Sequence, residues 1–102
     1  MSFKPTYEET LAADGSTTWQ KVKGPCWVSL SGTFGGGTAI IQRKNKAGAA
    51  VAIAGESFTA ITDRLIDFPP KSINEVRVTI SGSTSPALVC SLQWSSPFEV
   101  LD

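Results

Sequence analysis

At 102 residues the chain is long enough for one domain, which buries roughly two-thirds of its unfolded surface without staples. Hydrophobic residues make up 41% and charged residues 18%, a balance that excludes a disordered segment. Nine basic residues offset nine acidic ones, so the basic footprint of a general nucleic-acid binder is missing.

Residues 1–6 read as an arm carrying Phe3 and Pro5. Met1 to Thr10 holds one Lys, one Pro and two Glu and no apolar core, so no secretory signal is expected there. Tyr7 to Ala12 is a first strand, closed by the turn signal Asp14-Gly15-Ser16. Thr17 to Val22 is the next, with Trp19 on one face, and Lys23-Gly24-Pro25 breaks it.

Cys26 to Gln42 is the organising stretch: a strand, a glycine-rich turn and a second strand. Cys26, Val28 and Leu30 fall two apart and share a face, while Trp27, Ser29 and Ser31 take the other. Ser31 to Gly37 suits a long mobile hairpin tip. The β-branched residues of Thr38 to Gln42 then resume a strand.

Arg43 to Gly48 is a charged turn. Ala49 to Ile53 and Glu56 to Ile61 read as two short strands split near Gly55, and Ala47 to Gly55 is too short an apolar run to span a bilayer. Asp63 to Phe68 follows, stopped by Pro69-Pro70. Asn74 to Ile80 alternates, with Val76, Val78 and Ile80 on one face. Ala87 to Trp94 alternates too, with Leu88, Cys90, Leu92 and Trp94 on one face, and Ser95 to Asp102 is a tail. Seven to nine short strands, with turn signals about every ten residues, predict a single-domain, antiparallel all-β sandwich. A jelly roll and an immunoglobulin-like order both fit. Val28-Ser29-Leu30-Ser31-Gly32 is echoed by Val78-Thr79-Ile80-Ser81-Gly82, as two hairpins sharing turn chemistry or as a duplication.

The chain has no histidine, which removes Ser-His-Asp and Cys-His catalysis and His-ligated metal. Two cysteines cannot complete a structural zinc site. Adjacent Glu8 and Glu9 face opposite ways, and Asp63 and Asp67 look like solvated strand ends, so no catalytic carboxylate pair is expected. No enzymatic activity, cofactor or metal is predicted. Cys26 and Cys90 point inward as buried free thiols, or else bond across two sheets. Gly35-Gly36-Gly37 lacks the following Gly-Lys-Ser/Thr of a phosphate loop. It is either a flexible tip or one that takes shape against a neighbouring subunit, with Phe34 as anchor. Arg43, Lys44 and Lys46 form a basic hairpin end, either a solvated turn or a contact for an acidic partner surface. No aromatics interleave them as base stacking requires. Trp94 is read as core packing. Trp27 is covered by a loop, or contacts a subunit, or binds carbohydrate.

The run Glu9-Thr-Leu-Ala-Ala-Asp-Gly-Ser16, the hairpin Val28 to Gln42, Phe58-Thr-Ala60 and Val76-Arg-Val-Thr-Ile-Ser-Gly82 resemble small structural proteins of tailed bacteriophages. The resemblance spans Glu9 to Gln93. Where such proteins often carry Asp-Gly-Gly followed by Thr-Trp, this chain has Asn45-Lys46-Ala47-Gly48. The resemblance implies a virion component, made in the host bacterial cytoplasm, with no enzymatic activity. Its expected role is capsid decoration or cement, as a homo-oligomer, with a trimer the simplest guess. The major capsid protein or another virion protein is the expected partner, and neither nucleic acid nor membrane is. Phe3, Trp27, Phe34, Gly35 to Gly37, Arg43, Lys44, Lys46, Phe98, Val100 and Leu101 are the expected partner contacts. The alternatives are a carbohydrate- or receptor-binding module of a tail or fibre, and a head–tail connector or tail-completion subunit.

Overall fold

A computed structural model describes residues 6–69 and 71–94, and these form nine strands and no helix. In chain order they are β1 (Thr6–Leu11), β2 (Gly15–Ser16), β3 (Gln20–Lys23), β4 (Pro25–Thr33), β5 (Thr38–Lys44), β6 (Ala50–Phe58), β7 (Thr62–Asp67), β8 (Ile73–Ser81) and β9 (Ala87–Trp94). They build two antiparallel sheets packed as a sandwich. Sheet I has the order β1-β9-β4-β7; sheet II runs β2-β8-β5-β6, with β3 also on β8.

The pairing is nested. β1 pairs with β9, β2 and β3 with β8, β4 with β7, and β5 with β6. The chain is therefore one long hairpin, bent back at Asn45 to Gly48 and wound over itself so that β4 also meets β9 and β5 meets β8. That winding is a jelly roll and not an immunoglobulin-like order. The turn at the apex closes on itself: Asn45 N–H donates to the Ala49 carbonyl, Gly48 N–H to the Asn45 carbonyl, and Ala49 N–H to Asn45 Oδ1.

Alternation sets the core. Cys26, Val28 and Leu30 of β4 and Leu88, Cys90 and Leu92 of β9 lie inside against Ile41, Val76, Val78 and Ile80 of sheet II. Fully burying each Val, Leu or Ile contributes about 1.5–3 kcal/mol. Trp94 packs against this cluster from the rim. Both cysteines are free and fully buried, but they do not face each other across the sheets. They sit on adjacent strands of sheet I: Cys26 lies opposite Trp94, and Cys90 opposite Leu30. Four residues of strand, roughly 13 Å, separate the two rungs, too far for a disulfide. Burial pushes both thiols up to about 12.

Each open side of the sandwich is clasped by a charge from an edge strand of sheet I reaching a bulge in an edge strand of sheet II. On one side, Thr17 to Trp19 stand opposite only Arg77 and Val78 of β8, because the register shifts between the Ser16 and Gln20 rungs. Thr17 closes the gap: its N–H donates to the Val78 carbonyl (2.9 Å) and its hydroxyl accepts from Val78 N–H (3.1 Å). Glu9 of β1 reaches this bulge, accepting from Thr18 N–H (3.0 Å) and from the Tyr7 hydroxyl. On the other side, Ile53 to Glu56 bulge from β6 between the rungs of Gln42 and Ile40, with Gly55 at φ +80°. This single bulged strand replaces the two strands predicted around Gly55. Its Glu56 side chain turns inward and takes a bidentate pair from Arg64 of β7, at 2.8 and 2.9 Å.

A third clasp joins two loops. Asp14 accepts from Gly82 N–H (3.1 Å), Ser83 N–H (3.0 Å) and the Ser83 hydroxyl. The Ser83 bonds hold the Asp14 carboxyl below its usual value; the Tyr7 and Thr18 bonds do the same for Glu9. Both groups therefore contribute stability above their unfolded values of about 3.9 and 4.3, and lose it as pH falls through their lower folded values. The urea midpoint is expected to drop below about pH 4.5, and less steeply in Asp14→Asn. Equal acid slopes for the two proteins would remove Asp14 from this account.

Candidate interaction surfaces

The winding exposes the outer face of each sheet, and the two faces differ in sign. On sheet I, Trp27 lies opposite Leu65 of β7 and Gln93 of β9, and Gln93 lies opposite Thr6 of β1. Trp27 and Leu65 are 48% and 47% exposed, side by side next to the free edge of β7. Tryptophan at such a position is typical of binding surfaces. The charges on this face are Glu8, Asp63 and Asp67, with no cation among the described residues. Asp63 accepts a hydrogen bond from Ser29 of β4.

The outer face of sheet II is basic. Lys21 lies opposite Glu75 and Lys23 opposite Ile73, and Arg77 lies opposite Gln42 of β5. Lys44 pairs with Glu75 at 3.3 Å. Trp19 comes down on this face between two cations, with Lys44 4.9 Å and Arg77 4.5 Å from its ring centre. Arg77 is fixed in turn by Gln42 Oε1 at 2.8 Å. The Trp19 ring is thus occupied by its own chain.

The basic hairpin end is a real cluster. Arg43, Lys44 and Lys46 line a cleft of about 570 Å³ together with Lys21, Asn74 and Glu75. Arg43 and Lys46 are exposed, whereas Lys44 is half-buried by its ties to Glu75 and Trp19. Asn74 Nδ2 is buried with no hydrogen-bond partner among the described residues.

The glycine-rich tip is shaped by this chain. Phe34 is buried in the chain's own core at 7% exposure, so it is not free to anchor a neighbour. The tip lies against the loop after β8: Thr84 N–H donates to the Gly35 carbonyl at 2.9 Å. A Cβ on Gly35 would stand 2.4 Å from the Thr84 carbonyl oxygen, and one on Gly37 2.7 Å from Ser83 Cβ. Only Gly36 of the three faces open space. The long mobile tip expected from composition is instead two sheet-crossing loops locked together. The Val28–Gly32 and Val78–Gly82 echo marks the strand ends that feed these two loops.

Phe3, Phe98, Val100 and Leu101 lie outside the described residues. Trp27 is the predicted contact that the structure leaves open on a sheet face. Leu65, Ile61 and Ile73, all exposed apolar residues, went unmarked in the sequence. Leu65 was findable: in Asp63 to Phe68 it shares the parity of Asp63 and Asp67, whose charges mark the solvated side. Among the described residues no group of His, Cys, Asp or Glu is placed to hold a metal ion.

No protein-family model matches the chain, and no curated protein or solved structure matches it at a significant level.

Proposed function

We propose that the chain is a non-enzymatic structural protein of a tailed-bacteriophage virion, a decoration or cement subunit that binds and stabilises the capsid shell. The reading rests on the sequence resemblance and on one observation of geometry. The register Thr6 to Gln93 sets the start of β1 beside the end of β9. Thr6 and Trp94, the described residues next to segments 1–5 and 95–102, therefore lie at one end of sheet I, two strands and one strand away from the strand of Trp27. Trp27 and Leu65, exposed side by side at that end, are the docking surface of this reading, suited to the seam between neighbouring shell subunits, with Phe3, Phe98, Val100 and Leu101 as the further expected contacts.

Purified shells lacking their decoration protein supply the test. The full chain is expected to bind them and raise their resistance to heat. Deleting Phe98 to Asp102 is expected to reduce occupancy at least tenfold while the isolated domain melts as before. Unchanged occupancy, or no binding by the full chain, overturns the proposal.

The half-exposed Trp27 favours one second reading, a carbohydrate-binding module. Quenching of tryptophan fluorescence by millimolar sugar, lost in Trp27→Ala, would move the assignment there.

A further inference from the structure

The neutral chain hides a strong separation of charge. Among the described residues, Lys21, Lys23, Lys44 and Arg77 face outward from sheet II against the single Glu75, while Glu8, Asp63 and Asp67 face outward from sheet I with no cation among them. Each face also carries apolar surface. Sheet I offers Trp27 and Leu65; sheet II offers Ile73, 66% exposed and beside Lys23. We infer that the partner of the outer face of sheet I is the outer face of sheet II on a second copy of the chain.

The argument is complementarity in sign and chemistry. Two sheet I faces brought together would oppose three carboxylates to three carboxylates. Two sheet II faces would oppose a net three positive charges to three, since Glu75 offsets one of the four cations. Like-charge juxtaposition is unfavourable in both, whereas the mixed pairing neutralises each set. A two-fold dimer using one face is therefore disfavoured. The favoured contact is heterologous, head to tail, and it extends to a closed ring or an open row of copies.

The size of the contact sets its strength. Four strands ~4.8 Å apart, with about six residues each at ~3.3 Å, give a face of roughly 400 Å². A standard stable interface buries about 800 Å² per partner. Association through this face alone is thus weak and concentration-dependent, and it strengthens where copies are held side by side. It does not depend on attachment to a shell, and the solution test below contains none.

Sedimentation velocity over a concentration series is the measurement. The sedimentation coefficient of the native chain is expected to rise with concentration at low salt and much less at ~0.5 M salt, where screening reaches within a few ångströms. Trp27→Ala with Leu65→Ser removes the apolar part of one face; Lys21→Glu with Lys23→Glu reverses the other. All four positions are on outer faces, so both variants are expected to fold and to sediment as monomers, the lysine variant melting slightly lower because a carboxylate at position 21 opposes Glu75. Mixed one to one, they are expected to form a dimer and nothing larger, because one intact copy of each face remains. A native chain that stays monomeric at every concentration overturns the inference, and so does a mixture that remains monomeric. Self-association of either variant alone, equal to that of the native chain, does the same.

Discussion

Gly32→Ala is expected to lower the stability of the domain by about 3 kcal/mol, and its melting temperature by about 15 °C. Gly32 lies in β4 at φ +85°, where an L side chain costs about 1–2 kcal/mol. A Cβ there would also sit 2.2 Å from the Ala87 carbonyl oxygen of β9. That oxygen is backbone at the end of the central β4–β9 pairing, so relief requires moving a strand, not rotating a side chain. Overpacking of this kind typically adds about 1–3 kcal/mol. Gly36→Ala is the internal control. Its φ of +77° carries the same conformational penalty, but nothing lies within 4 Å of the added carbon. It is expected to lose only about 1 kcal/mol. Urea and thermal unfolding of the two variants test the contrast directly. Equal losses would mean that backbone conformation alone selects glycine here, and that the close approach of Gly32 to the Ala87 carbonyl is incidental.

That contrast marks where sequence reading reaches its limit. Alternation is local, so the inward sides of Cys26 to Leu30, Asn74 to Ile80 and Ala87 to Trp94 were legible, as was the outward side of Trp27. The all-β sandwich followed from these stretches and their turn signals. Partnership across the chain is not local. Gly32, Gly35 and Gly37 looked like freedom at a hairpin tip, but three of their neighbours are Ala87, Thr84 and Ser83, some fifty residues on. The Arg64 contact with the Glu56 bulge was hidden although the two lie only eight residues apart, because the register shift that turns Glu56 inward depends on Ile40 and Gln42 of β5. Parity placed Cys26 and Cys90 inside but said nothing of which sheet each occupied. Net charge concealed most: the basic and acidic residues cancel in the total, and only the winding separates them onto opposite faces.

Arg64→Ala is expected to destabilise the domain by about 2 kcal/mol, through Glu56 more than through lost arginine contacts. Glu56 is 7% exposed, and its carboxylate takes both of its side-chain hydrogen bonds from Arg64. Removing the partner of a fully buried ion costs about 3–5 kcal/mol; the exposed side of Arg64 already lies in solvent, which lowers the figure. Arg64 also rests on the Phe58 ring at 5.7 Å, so part of the loss is packing. Replacing both charges, with Arg64→Leu and Glu56→Leu, is expected to leave stability within about 1 kcal/mol of the native chain. The double variant is nevertheless expected to aggregate on refolding. β7 and β6 are the free edges on this side of the two sheets, and an inward-turned charge beside a bulge is a device that prevents strand addition. Unfolding midpoints separate the two effects from light scattering measured during refolding. A double variant that refolds as cleanly as the native chain would make the pair a stability element alone. A stable but aggregating one would show that the charge is kept to guard an open edge.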